Sequence, residues 1–348
     1  MKTRIRQVII FGLIAVLALG GILTQLPACK PDKPIPKTEI PPAKPAGPPV
    51  MAPAFNADSA FYSVQKQVDF GPRVPGTPAH KKCAAWLVQS FKRYGLTVIE
   101  QNFKAKTYFG NLDAVNIIAQ YKPELTNRII IAAHWDSRHV ADKDTKDVGK
   151  PILGADDGAS GVGVLLELAR MLQANNTDIG VDLICFDAED LGKQEESSVV
   201  QQVAPPNTAE TWCLGSQYWA GNLHKTGYRA QFGILLDMVG AKGAVFPYEG
   251  YSTMNAGGQQ ASIWNVAHEL GFGAMFPKRE GGFITDDHFF VMKGTGIPMV
   301  DIISMPNQNG FGAYHHTHAD NMSLIDKTTL KAVGQVVATV IYRAAKPQ

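Results

Sequence analysis

The chain has 348 residues, 45% of them hydrophobic, enough to bury a sizeable core in one large domain or two small ones. Its 33 basic and 31 acidic residues leave a formal net charge of +2. No basic run with interleaved aromatics occurs, which argues against a nucleic-acid partner.

Residues 1–28 read as a targeting segment rather than as fold. MKTRIR is a positive n-region, and VIIFGLIAVLALGGIL is an apolar h-region shorter than a comfortable membrane span. Leu26-Pro27-Ala28-Cys29 then resembles the lipobox of bacterial lipoproteins, which implies cleavage before Cys29 and a lipid on its sulfur. An ordinary signal peptide or an uncleaved anchor is the alternative. Residues 29–54 are rich in Pro and Lys without apolar periodicity, as expected of an extended tether. Residues 55–348 are expected to form a single domain. With no second hydrophobic span, that domain is expected to be exported, periplasmic and lipid-anchored to a bacterial membrane.

Along the domain, FGPRVPGTPAH is a turn leading into a helix over Pro78 to Tyr94, with Thr77 as N-cap. Ala114 to Tyr121 and Arg128 to Asp136 read as two neighbouring strands. Gly158 to Asn175 is an apolar helix. Val181 to Asp187, Phe232 to Met238 and Ile297 to Ile303 are further strands. Helices are expected near Gly215 to Leu223, Gln259 to Leu270 and Lys327 to Ala345. Gly192 to Glu210 is a long polar insertion, and FITDDHFF reads as a loop. Short apolar strands alternating with helices predict an α/β three-layer sandwich. Its central sheet is mixed and mostly parallel, buried on both faces by helices. Apart from Cys29, the cysteines Cys83, Cys185 and Cys213 show no C-x-x-C spacing, which speaks against a thiolate zinc site and leaves a disulfide open.

The polar residues are not scattered. The strands deliver His134 and Asp136, then Asp187, Glu189 and Asp190, then Asp237 to what should be one sheet edge. GADDGASG adds Asp156 and Asp157, FITDDHFF adds Asp286, Asp287 and His288, and AYHHTHAD adds His315, His316, His318 and Asp320. So many carboxylates would repel one another unless a divalent cation offset their charge. Oxygen and imidazole donors without thiolates suit catalytic zinc.

GADDGASGVGVLLELAR, FDAED, LLDMVG and HHTHADN resemble the co-catalytic zinc aminopeptidases and, more closely, the glutaminyl cyclases sharing their fold. The resemblance spans roughly Phe55 to Tyr342. It implies one zinc per chain on Asp157, Asp190 and His316, with Glu189 as general acid/base. Asp237 and Asp286 form an acidic pair, and Ile284, Phe311 and Trp212 wall the substrate pocket. Trp212 has a second reading, as an anchor for the insertion. His134, with Asp237, holds the place of a second zinc in the aminopeptidases. Asp190 stands where a Glu is commoner, His315 where animal cyclases have Trp, and Asp301 where they have His.

The implied reaction converts the N-terminal glutamine of peptides or exported proteins to pyroglutamate and releases ammonia, with zinc polarising the γ-carbonyl. A two-metal aminopeptidase and a non-catalytic peptide-binding module on the same scaffold are the alternatives. Asp187 is expected to be structural. His80, His224 and His268 are expected on helices, in packing or surface roles, and His139 and His318 near the site without ligating.

Overall fold

The structure, a computed structural model, describes residues 51–193, 209–307 and 310–345. The targeting segment, nearly all of the tether and residues 194–208 of the insertion lie outside the described residues. Among those described, no helix is long and apolar enough to cross a membrane. Contact with the domain starts at Ala52, which packs on the core, and Pro53, whose carbonyl accepts from Gln335 Nε2 at 3.2 Å.

One six-stranded sheet runs β1 (Thr97–Thr107), β2 (Gly110–Tyr121), β4 (Gly180–Phe186), β3 (Arg128–His134), β5 (Gly233–Asp237) and β6 (Met299–Ile303) from edge to edge. Strands β3, β4, β5 and β6 are mutually parallel, while β1 and β2 add an antiparallel hairpin alongside β4. The mixed, mostly parallel sheet is as expected, with one correction. Segments β2 and β3 are consecutive in sequence, but β4 lies between them. The helix after β3, α3 (Ala159–Ala174), carries the chain across the sheet and returns β4 parallel to β3. With β4 on one side of β3 and β5 on the other, no edge is left for β2.

The period-two alternation of strand side chains serves both faces. Ile117, Ile129, Ile131, Leu183, Ile234 and Val300 belong to the core under α1 (Ala57–Asp69), α2 (Pro78–Arg93), α3, α5 (Gly250–Glu269) and α7 (Lys327–Ala344). Their neighbours Ile118, Ile130, Ile184, Leu235 and Met299 pack against α4 (Leu214–Gly221) and α6 (Asp287–Thr295) on the other face. Every residue of β3, β4, β5 and β6 is buried, which is why these strands read as continuous apolar runs.

Thr77 caps α2 as expected, its Oγ1 accepting from His80 N at 3.2 Å, with Pro78 in the first turn. Three elements were not expected from the sequence: α1, β1 and α6. Strand β1 exposes Glu100, Lys104 and Lys106 and buries only Phe103 and Ala105, so its apolar residues are few and separated. Helix α6 replaces the loop expected at FITDDHFF, because Asp286 caps it by accepting from Asp287 N at 2.5 Å. Helix α5 starts nine residues before the expected Gln259, since Glu249 caps it at Gly250; the non-helical Ala256 and the Gly257-Gly258 pair obscure that first half. His224 follows α4 rather than lying on it.

Candidate active site

The carboxyl ends of the parallel strands meet at one edge, and every chemically interesting loop starts there. Strand β3 ends at His134, and Asp136 two residues on clamps the next strand's loop: its two carboxylate oxygens accept from Glu189 N and Asp190 N, each at 3.1 Å. After β4 the three carboxylates of FDAED part ways. Asp187 is fully buried, accepts from Val115 N at 2.6 Å and lies 2.8 Å from His80 Nε2, so it is structural and fixes the loop to α2. Ala188 takes a left-handed φ of 57°, turning the chain so that Glu189 and Asp190 leave in different directions. Left-handed φ values recur at Met238 (49°) and His316 (60°), as is common where a scaffold over-determines functional backbone.

The Asp156-Asp157 pair also divides. Asp156 accepts from Gly240 N at 2.6 Å and from the Tyr314 hydroxyl at 2.6 Å, and so is held in the scaffold. Asp320 accepts from the backbone N–H groups of Asp156 and Asp157 at 2.7 and 3.1 Å, tying this loop to HHTHAD. Asp157 is thereby aimed at the site. Its Oδ1 lies 2.9 Å from His134 Nε2 and its Oδ2 3.8 Å from both His315 Nε2 and His316 Nε2. His316 Nε2 also lies 3.2 Å from Asp190 Oδ1. The three residues expected to hold zinc are therefore gathered around one imidazole nitrogen. His134 Nε2 in turn lies 3.4 Å from Asp237 Oδ1. Asp157, His315 and His316 thus form one group of ligand geometry, with Asp190 reaching His316 from beside it, and His134, Asp157 and Asp237 form a second.

The donor set fits a divalent cation. Asp190 Oδ2 is buried without a hydrogen-bond partner, and burial followed by the Asp157 charge pushes Asp190 well above the usual carboxylate range. Burial opposed by Asp157 lowers His316 to about 3, which leaves its imidazole neutral, the ligating form. Burial would raise Asp157, but the imidazoles of His134, His315 and His316 hold it below the usual range. Two buried carboxylates and a neutral imidazole match the O/N donor chemistry of zinc.

Around this centre lies a pocket of about 470 Å³, lined among others by Asp157, Glu189, Trp212, Asp237, Ile284, Asp286, Phe311 and His316. The expected pocket residues line it, and Asp190 and His134, which do not, contact the lining residues His316 and Asp157. Ile284 and Phe311 pack on Met238, Ile303 and Met305, which form a small apolar cluster of their own. Trp212 lines the pocket and stacks on His316 at 5.8 Å, and its ring also fills the space against Gly192 and under the Arg138 guanidinium. Burial and then Asp286 raise Glu189 well above the usual range, opposed by His134. Asp237 reaches about 8 through burial and the Asp286 charge, despite its contact with His134.

Several site residues were not expected. Lys143 lines the pocket and lies 2.6 Å from His315 Nδ1. Glu249, fully buried, caps α5, accepts from Ile284 N at 3.0 Å and lies 2.9 Å from His288 Nε2. His288 Nδ1 is 3.6 Å from Asp301 Oδ2. Thus an imidazole between two carboxylates backs the wall bearing Ile284 and Asp286. Arg138 bridges Asp190 and Asp142 at the floor. His139 packs at a tilt on Phe109 and His318 contacts the Asp147 carbonyl, and neither belongs to a group of ligand geometry among the described residues. Cys83, Cys185 and Cys213 are all free and buried.

The close approach at Gly158 gives a prediction. A Cβ there would fall 2.3 Å from His134 Nε2, so Gly158→Ala should displace His134 and destabilise the fold by roughly 1–3 kcal/mol. A thermal melt of the variant that matches the parent chain would contradict this packing.

A mixed sheet whose parallel strands gather imidazoles and carboxylates at their carboxyl ends around a pocket is where an α/β enzyme binds its ligand. The chain belongs to peptidase family M28, whose model matches residues 116–341. A Bacteroides thetaiotaomicron glutaminyl cyclase bound to N-acetylhistamine is 47% identical, with 84% of this chain and 99% of that chain covered and a TM-score of 0.79. A Zn-dependent exopeptidase from Parabacteroides distasonis is also 47% identical over 84% of this chain and 99% of that one, with a TM-score of 0.78. The glutaminyl-peptide cyclotransferase of Boiga irregularis is 25% identical over 296 residues, 78% of this chain and 76% of its own length.

Proposed function

We propose that the chain is a zinc-dependent glutaminyl-peptide cyclotransferase that converts an N-terminal glutamine to pyroglutamate with release of ammonia. The observation that carries this reading is Glu189 beside Asp157, Asp190 and His316 in a pocket walled by Ile284, Phe311 and Trp212, with Asp237 and Asp286 at its base. The cyclase relatives support it independently. Asp157, Asp190 and His316 would hold one zinc per chain. When bound, it supplies Lewis-acid polarisation of the substrate's γ-carbonyl.

The chain's own residues supply the rest. The α-amine and the γ-amide belong to one residue, so the pocket must curl that side chain into a near-attack geometry. The apolar walls of Ile284, Phe311 and Trp212 do this, and proximity is the large term. Glu189 accepts a proton from the α-nitrogen as the bond from that nitrogen to Cδ forms. It returns the proton to the amide nitrogen as the bond from Cδ to that nitrogen breaks and ammonia leaves. Asp237, raised by burial and the Asp286 charge, and Asp286, raised by burial against the opposing His288, would share a proton and accept from the leaving NH₂. The same reading extends to location: cleavage before Cys29 and lipidation of its sulfur would display the domain on a bacterial membrane facing exported substrates.

The second group, His134 with Asp157 and Asp237, favours a two-metal aminopeptidase as the other reading. One assay separates them. The purified protein is incubated with a Gln-initiated peptide and with a Leu-initiated peptide, and both are followed by mass. Loss of ammonia from the first is the expected result. Release of free leucine from the second, with the first unchanged, would replace the cyclase by the peptidase.

A further inference from the structure

The proposed proton carrier needs a fixed carboxylate, and the hydrogen bonds around Glu189 point to what fixes it. The Glu189 backbone is held by Asp136. At its carboxylate the donor in place is the Cys213 thiol, whose Sγ lies 3.1 Å from Glu189 Oε1. Cys213 comes from the far side of the insertion, yet two backbone bonds lock it to the same turn. Cys213 N donates to Glu189 O at 2.9 Å, and Leu214 N donates to Ala188 O at 3.0 Å. Both Ala188 and Cys213 adopt left-handed φ, 57° and 56°, so the two turns face each other in one conformation. Cys213 is fully buried and outside the pocket lining, whereas Glu189 lines it. Burial pushes the thiol well above its usual range, so it keeps its hydrogen.

We propose that Cys213 is a positioning residue for Glu189: its S–H donates to Oε1 from behind, leaving the second carboxylate oxygen free for the substrate nitrogen. The inference rests on the acid/base role of Glu189 proposed above. A thiol suits the task because it is a weak donor. It orients the carboxylate without competing strongly for the proton that Glu189 must accept and return. A strong, charged donor at that place would hold the carboxylate ionised and weaken it as a base.

The kinetic test measures kcat and KM for a Gln-initiated peptide. Cys213→Ala should lower kcat by about ten- to a hundred-fold with KM nearly unchanged, the scale expected when a reacting group is misplaced by about 1 Å. Cys213→Ser, which keeps a donor, should recover most of that loss. Full kcat in Cys213→Ala, or equal losses in the Ala and Ser variants, overturns the proposal. A second measurement covers an Ala variant that fails to fold and does not depend on cyclase activity. In the infrared spectrum of the intact protein, one S–H stretching band should lie below the others because that thiol donates to the Glu189 carboxyl. That band should rise in Glu189→Gln and vanish in Cys213→Ser. Bands that ignore Glu189→Gln overturn the contact itself. Failure of the parent chain to cyclise any Gln peptide would instead count against the proposed reaction, with the infrared result still deciding the Cys213 contact.

Discussion

Glu189→Gln is expected to lower kcat for a Gln-initiated peptide by about 10²- to 10⁴-fold, or roughly 3–5 kcal/mol of transition-state stabilisation. The change is nearly isosteric, so the pocket should keep its shape and the peptide its KM. It removes only the capacity to accept a proton at the carboxylate and deliver it to the leaving nitrogen. Metal content should not fall, because the donors at hand are Asp157, Asp190 and His316, and Glu189 is one residue away on the other side of the turn. The pH profile offers a second readout. A general base works deprotonated, so the rate should rise with pH through the pKa of Glu189. Burial moves that limb upward from the ordinary carboxylate range, with His134 opposing. The limb should be absent from whatever activity the variant retains. A variant that cyclises at the parent rate removes Glu189 from the proton path; one that loses its metal makes the residue a ligand instead.

The site was legible in the sequence where its residues are close along the chain. FDAED ends an apolar strand and GADDGASG opens an apolar helix, so their placement at one sheet edge follows from the α/β pattern, while HHTHADN stood out as a loop dense in His and Asp. What was not legible depends on tertiary meeting. Glu249 lies in PYEGYS with no periodic neighbours, and only the fold brings it 2.9 Å from His288. Cys213 reaches Glu189 across the insertion, and nothing in TWCLGS marks it. Likewise β2 and β3 look adjacent because they are adjacent in sequence, whereas the crossover through α3 inserts β4 between them. Helix α6 escaped because a capping Asp in a cluster of acids reads first as chemistry, and Asp286 serves both as cap and as pocket residue.

Removing the metal with a chelator is expected to abolish cyclisation and to lower the thermal midpoint, with both restored by zinc. The physical reason is the concentration of negative charge at the strand ends. Asp157, Asp190, Asp237, Asp286 and Glu189 face or underlie one pocket, all buried or nearly so. A cation that binds only the folded chain stabilises it by about 4 kcal/mol when present at 1,000 times its Kd. For a domain of this size that is on the order of 10 °C. Arg138 against Asp190 and His134 against Asp157 and Asp237 already offset part of the repulsion, so the metal-free chain should still fold. Asp190→Asn sharpens the test. It keeps the side-chain volume and removes one ligand charge, so metal should bind far more weakly and the chelator should no longer move the melt. Mass analysis of the parent chain should find about one zinc, on Asp157, Asp190 and His316, with His134 held by its contacts to Asp157 and Asp237 rather than by a metal. A melt indifferent to chelator, or an Asp190→Asn variant that holds zinc as tightly as the parent, would take Asp190 out of the coordination shell. Two tightly held zincs would bring His134 into it and favour the peptidase reading.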